Sequence, residues 1–165
     1  MDIEKGKFSN IFIKILVGIM SGDLSKVKHF LSEDLYNKFQ NEINTNIKNN
    51  EIHCFDEPNV KEINIINHTQ DNEYDIVSVN LISRYMDYYM DKDSLKYIRG
   101  VNDHRIEKEH TLVFKRLLNA HKDSVVRCPG CGASLDVNNT GVCKYCGETY
   151  SAITYDYVLY EVSNL

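Results

Sequence analysis

Residues 74–90, YDIVSVNLISRYMDYYM, read as one long β-strand. Val77, Val79 and Leu81 alternate with Tyr74, Ile76 and Ser78, and a period of two sends successive side chains to opposite faces of a sheet. Polar turns bracket the run at residues 70–73 and 91–94. Working outward, residues 60–67 form a second stretch rich in β-branched side chains. A loop is expected at 100–103, and residues 106–116 make a third strand with Leu112 and Phe114 on one face. Residues 154–162 are strand-like again, Tyr155, Tyr157 and Leu159 facing away from Val158, Tyr160 and Val162.

Before Asn50 the period changes. Phe8, Ile11, Phe12, Ile15, Leu16 and Ile19 recur at helical spacing over residues 5–20, giving an amphipathic helix with a broad apolar face. Ser21, Gly22 and Asp23 break it, and Asp23 is placed to cap a second helix carrying Leu24, Val27, Phe30 and Leu31. Ser32, with Glu33 and Asp34 behind it, starts a third helix whose stripe is Leu35, Phe39, Ile43 and Ile47. Helices followed by an antiparallel sheet predict an α+β fold.

At 165 residues the chain has room for one sizeable core, and its two prolines, Pro58 and Pro129, leave no proline-rich linker to divide it. A formal charge of −5 argues against nonspecific attraction to nucleic acid. The basic run Lys115, Arg116, His121, Lys122 and Arg127 reads as a solvated strand end. Residues 11–20, interrupted by Lys14 and Gly18, are half as long as the roughly 20 apolar residues a spanning helix needs. Asp2 and Glu4 also weaken any reading as a signal peptide. The helix is therefore expected in the core, with docking on a membrane surface as the alternative. A cytoplasmic location, peripheral to the inner face of the membrane if that helix docks, follows from the same reading.

Cys128, Cys131, Cys143 and Cys146 form two Cys-x-x-Cys pairs separated by eleven residues, each pair followed by glycine, Gly132 and Gly147. Two such pairs can close a tetrahedral shell around one ion at Zn–S distances of about 2.3 Å. One structural Zn²⁺ per chain is expected. An iron site would use the same ligands, whereas a redox pair would need only one of the two motifs. A shell of four thiolates leaves no open position for substrate, so the metal's role would be to fold a short segment. Because the cysteines lie between two predicted strands, residues 126–150 are expected to be a zinc ribbon inserted between the last two strands of a single domain, 1–165. Asn138, Asn139, Thr140 and Gly141 supply its turn. Cys54 reads as a small buried residue.

The segment from Cys128 to Gly147, CPGCGASLDVNNTGVCKYCG, and the strand Tyr155-Asp156-Tyr157-Val158-Leu159 after it resemble the zinc-ribbon version of bacterial Tim44-like proteins. These are relatives of the mitochondrial inner-membrane import tether. The likeness extends upstream to the amphipathic first helix, the Gly22-Asp23-Leu24 start of the next segment, and Leu35-Tyr36. It implies a cone-shaped fold of the nuclear-transport-factor-two and cystatin-like type, a curved antiparallel sheet wrapping helices around an apolar pocket. It also implies a tethering role and lipid or peripheral-membrane contact. Phe8, Ile11, Phe12, Ile15, Leu16, Ile19, Tyr85, Phe114 and Tyr157 are the expected pocket or membrane-facing residues. Where relatives often carry tryptophan in the last strands, this chain has His110 and Tyr157, and it has no tryptophan at all.

The cone fold also hosts small-molecule enzymes of the ketosteroid-isomerase type, which place Asp, His or Tyr in the pocket. Asp75, Asp87, Tyr85, His104 and His110 are the polar candidates, and none forms a motif. Asp87 reads as a solvated turn aspartate and His110 as a satisfied sheet histidine. The expectation is a non-catalytic domain that binds an apolar ligand, a membrane surface or a protein partner. A cone-fold enzyme and a pure interaction module built on Tyr85, Tyr88, Tyr89, Tyr155, Tyr157 and Tyr160 are the alternatives.

Overall fold

The helical spacing of the first twenty residues becomes α1 (Asp2–Ser21) in a computed structural model that describes residues 2–118, 131, 142–147, 151, 153 and 156–165. Phe8, Ile11, Phe12, Ile15, Leu16 and Ile19 all turn inward, none more than 3% exposed. Each such side chain removed from water contributes about 1.5–3 kcal/mol, so this face is a principal source of stability. Gly22, at φ 77, takes the left-handed conformation that lets the chain leave the helix, and Asp23 N donates to Gly18 O at 3.0 Å.

The second helix predicted from Leu24, Val27, Phe30 and Leu31 does not form. Those four side chains are buried, but the backbone makes only a 3-10 turn, Lys28–Phe30. Asp23 Oδ1 accepts from Ser25 N at 2.9 Å in a local turn instead of capping an α-helix. The reason is tertiary: Leu31 bridges to Leu159 and Ser32 N donates to Leu159 O at 2.9 Å, which pulls the segment straight. The next helix, α2 (Glu33–Lys48), starts as expected, with Ser32 Oγ accepting from Leu35 N at 3.2 Å. Leu35, Phe39 and Ile43 are buried, whereas Ile47, last of the predicted stripe, is 57% exposed.

Four strands follow: β1 (Glu51–Gln70), β2 (Tyr74–Asp91), β3 (Tyr97–Leu117) and β4 (Val158–Val162). Among the described residues they form one antiparallel sheet in the order β1-β2-β3-β4, packed against the helices, which is the α+β architecture expected. Along β2 the alternation is strict: Asp75, Val77, Val79, Leu81, Ser83 and Tyr85 are buried, and their neighbours are not. Phe8 stacks on Phe114 at 4.0 Å between ring centroids, and Phe12 meets the His110 ring at 4.8 Å, joining α1 to β3.

Two strands run further than predicted. β1 begins nine residues before position 60 and carries Pro58 within an irregularity between Asp56 and Asn59, where a missing N–H costs the ladder nothing. The loop predicted at 100–103 lies inside β3. There the four residues from Asn102 to Arg105 oppose only Met86, so the excess length is absorbed as a bulge. Gly100, paired with Tyr88 at φ 105, permits this, because a Cβ there would lie 2.4 Å from Asp87 O. At the chain's end the strand predicted from 154 is described from Val158, and residues 154 and 155 lie outside the described set.

Candidate functional site

Cys131, Cys143 and Cys146 converge, with their sulfurs within 4.8 Å of one another. Cys131 Sγ and Cys143 Sγ are 3.8 Å apart, far beyond a disulfide bond and equal to the edge of a tetrahedron drawn with metal–sulfur bonds of about 2.3 Å. The turn after Cys143 is closed by Gly147 N donating to Cys143 O at 2.8 Å, with Gly147 at φ 78. These three thiols fit a zinc ion. The fourth predicted ligand, Cys128, lies outside the described residues, as do most of residues 126–150.

The nine apolar and aromatic residues predicted to line a pocket or face a membrane are all brought together. Phe8, Ile11, Phe12, Ile15, Leu16, Ile19, Tyr85, Phe114 and Tyr157 are each 3% exposed or less and pack in one cluster. The space between α1 and the sheet is filled by these side chains, and their apolar surface faces inward.

Of the polar candidates, Asp75 is an anchor. Its Oδ1 lies 2.6 Å from His68 Nε2, and its Oδ2 accepts from Tyr157 Oη at 2.5 Å and from Arg116 Nη2 at 2.9 Å. Burial alone pushes this carboxyl upward. The Tyr157 hydroxyl, His68 and Arg116 outweigh it and hold the pKa below its ordinary value. His110 is a satisfied sheet histidine, with Nδ1 2.8 Å from Ser163 O and Nε2 2.8 Å from Ser83 Oγ. Burial pushes its pKa down. His104 is exposed beside Asp103. In the basic run, Arg116 is bound to Asp75 and Lys115 lies over the Tyr74 and Tyr160 rings, while the positions from 121 onward are not among the described residues.

Asp87 departs from the solvated aspartate expected. It is half-buried, with Oδ1 2.6 Å from His53 Nε2 and Oδ2 accepting from Lys108 Nζ at 3.3 Å. The other ring nitrogen of His53 lies 2.9 Å from Glu42 Oε1, so the imidazole bridges α2 and β2. Burial pulls the His53 pKa down, but Asp87 and Glu42 overcome it and raise the net value. For Asp87 burial raises the pKa, and His53 and Lys108 turn the balance downward. Tyr85, two residues before Asp87 on the same face, is fully buried, and burial drives its phenol well above the usual range.

The Tim44-like domain family matches residues 5–125. The chain belongs to that family. No curated protein matches it. The matched span of the Tim44-like domain contains α1, α2, β1, β2 and β3, and therefore the helix–sheet core and the Asp87 cluster, but stops short of the cysteines and β4. Among the described residues no helix is long and apolar enough to cross a membrane.

Sequence reasoning missed Glu42, His53 and Lys108. His53 and Phe55 alternate with Cys54 just after α2, a strand signal, but a first strand placed at residue 60 leaves His53 with no face to occupy. Glu42 precedes Ile43 of the α2 stripe, and Lys108 belongs to a charged, alternating run in β3. The register of β1, β2 and β3 brings His53 and Lys108 to Asp87, and the packing of α2 against β1 adds Glu42.

Proposed function

We propose that this Tim44-like domain is a non-catalytic tether for a protein partner, stabilised by a structural zinc ion. Family membership over residues 5–125 carries the reading. Cys128, Cys131, Cys143 and Cys146 are the intended ligands, and the spacing of the three described sulfurs supports them. In this reading residues 126–150 are a ribbon inserted between β3 and β4 of a single domain, 1–165. A protein partner is favoured over a lipid surface by two observations. The apolar face of α1 is directed inward, and the chain carries a charge of −5, which repels anionic headgroups. The tether would act in the cytoplasm, at the inner face of a membrane where its partner holds it there.

Purified under reducing conditions, the full chain is expected to carry about one zinc ion by elemental analysis, since four thiolates fill a tetrahedral shell. Cys143→Ser should lose that ion. Absence of stoichiometric metal would remove the zinc from the proposal. The tethering role is tested by co-sedimentation of the intact chain with neutral and with anionic vesicles, alongside cross-linking in cell extract. Removing residues 1–20 is no control, because it deletes the core face of α1. A specific cross-linked partner that protects the sheet surface from hydrogen exchange, with no vesicle pelleting, is the expected result. Pelleting with vesicles and no partner would shift the reading to membrane docking through a released α1.

A further inference from the structure

His53 stands where α2 meets the sheet. Its Nδ1 lies 2.9 Å from Glu42 Oε1 of α2, and its Nε2 lies 2.6 Å from Asp87 Oδ1 of β2. A neutral imidazole has one N–H and one lone pair, so it donates to one carboxylate and turns its lone pair on the other. Only the imidazolium satisfies both. The ring is 11% exposed and lines two cavities, one of about 320 Å³ shared with Glu42, Asp87 and Lys108, the other of about 190 Å³ reaching the end of α1.

The groups around the ring differ in what they can do near neutral pH. Tyr89 of β2 stacks on it at 4.2 Å, Tyr85 lines the larger cavity, and Cys54 is its neighbour on β1. Burial pushes both phenols and the thiol upward, away from the range in which an imidazole titrates. From β3, Lys108 reaches Asp87 Oδ2 at 3.3 Å, and Arg99 lies over the Tyr89 ring and pairs with Glu51 of β1. Lys92, just past β2, lines the smaller cavity, and Lys38 of α2 donates to Leu165 O at 3.1 Å. These cations oppose a proton on His53, and the two carboxylates in direct contact favour it.

The two carboxylates are held unequally. Asp87 keeps Lys108 if His53 loses its proton, whereas among the described residues Glu42 has no second hydrogen-bond partner. The helix that carries Glu42 is also unequally fastened. Leu35, Phe39 and Ile43 are buried, but beyond Ile43 α2 buries only Asn46, and Ile47 is 57% exposed. We propose that His53 is a pH-operated latch: protonated, it clasps Glu42 of α2 to Asp87 of β2; deprotonated, it releases Glu42, which removes one wall of the larger cavity and loosens the last turns of α2. The latch stands independently of the tethering role and of the cysteines.

The test is a pH series of the full chain from about 5.5 to 8.5, with nitrogen-15 NMR of the histidine rings and hydrogen exchange of the backbone amides, corrected for the base-catalysed rise of free amides. His53 should keep both ring protons to above its ordinary value of about 6.5. Through its midpoint the amides from Glu42 to Lys48 should lose about tenfold in protection, while those around Asp75 stay unchanged. Glu42→Gln, which keeps the shape and removes the charge, should lower the His53 midpoint by about one pH unit. His53→Gln should abolish the step in α2 protection. The proposal is overturned if His53 titrates at or below its ordinary value, if α2 protection is flat through the His53 midpoint, if Glu42→Gln leaves that midpoint where it was, or if the step survives in His53→Gln.

Discussion

Asp75 and Asp87 stand twelve residues apart on β2, and both sit on the side that meets the helices. Each touches a histidine from β1 at 2.6 Å, His68 in one case and His53 in the other, and each pairs with a cation from β3, Arg116 or Lys108. The two clusters nevertheless end differently. At Asp75 a tyrosine from the C-terminal segment, Tyr157, supplies the last hydrogen bond, and the carboxylate is 3% exposed and fully engaged. At Asp87 the nearby tyrosine, Tyr85, is on the same strand and fully buried, and the carboxylate is 21% exposed beside a cavity of about 320 Å³. The same inventory of side chains makes a closed lock at one end of β2 and a half-open cluster at the other.

The comparison can be broken most forcefully from behind. Gly100→Ala would drive a Cβ to within 2.4 Å of Asp87 O, so it should destabilise the protein by about 4 kcal/mol and abolish the His53–Asp87 contact while leaving the His68–Asp75 contact intact. Denaturant unfolding together with histidine NMR reads both effects, and a variant as stable as the native chain would refute the bulge geometry. Asp75→Ala should cost about 3 kcal/mol, because the Tyr157 hydroxyl loses a charged acceptor in a buried setting. The same replacement at the more accessible Asp87 should cost about half as much. Equal losses would mean that the two clusters are energetically alike.

Tyrosine-to-phenylalanine exchanges sharpen the contrast further, since they should differ in size. Tyr157→Phe, which removes a bond to a carboxylate, is expected to lose about 1.5 kcal/mol and Tyr85→Phe less than about 0.5 kcal/mol, measured as shifts in the denaturation midpoint. The smallest effect is in pH. A histidine whose folded pKa is raised stabilises fully below its unfolded value, about 6.5, and loses that contribution as pH rises through the folded value. Stability should therefore decline slightly from pH 6.5 upward, and His53→Gln should flatten the decline. His110, whose pKa is lowered, acts in the opposite sense and only as pH falls below about 6.5, so the upper window isolates His53. An unchanged slope in His53→Gln would show that the bridge from α2 to β2 carries no charge.

The architecture was largely legible. Period-four apolar residues marked α1 and α2, period-two residues marked β2, and the cysteine context pointed to the family before any fold was in view. What failed to read was governed by partners distant in the chain. Residues 24–31 have a helical pattern but are straightened by Leu159, a residue more than 120 positions away. Residues 51–59 look like a loop because Pro58 and charged residues interrupt them, yet β2 pairs with them from Glu51 onward. The site was less legible than the fold for the same reason. Asp87 shows nothing local to separate it from a surface aspartate, and only the register that sets His53 opposite Tyr89 and Ile106 opposite Tyr85 makes it half of a cluster.

The sheet's final strand carries a kinetic consequence. β3 ends at Leu117 and β4 begins at Val158, so the 40 residues from 118 to 157 must be spanned before Phe114 can pair with Leu159 and Tyr157 can reach Asp75. Local hairpins such as β1-β2 and β2-β3 close cheaply, but this connection incurs a larger loop-closure entropy and contributes contacts of long sequence separation. During synthesis the aromatic end of α1, from Phe8 onward, emerges well before its cover, Tyr157. The buried face of α1 is thus left partly uncovered until late in the growing chain, and a metal clasping the cysteines would act on folding rate by shortening the effective span that β4 has to cross.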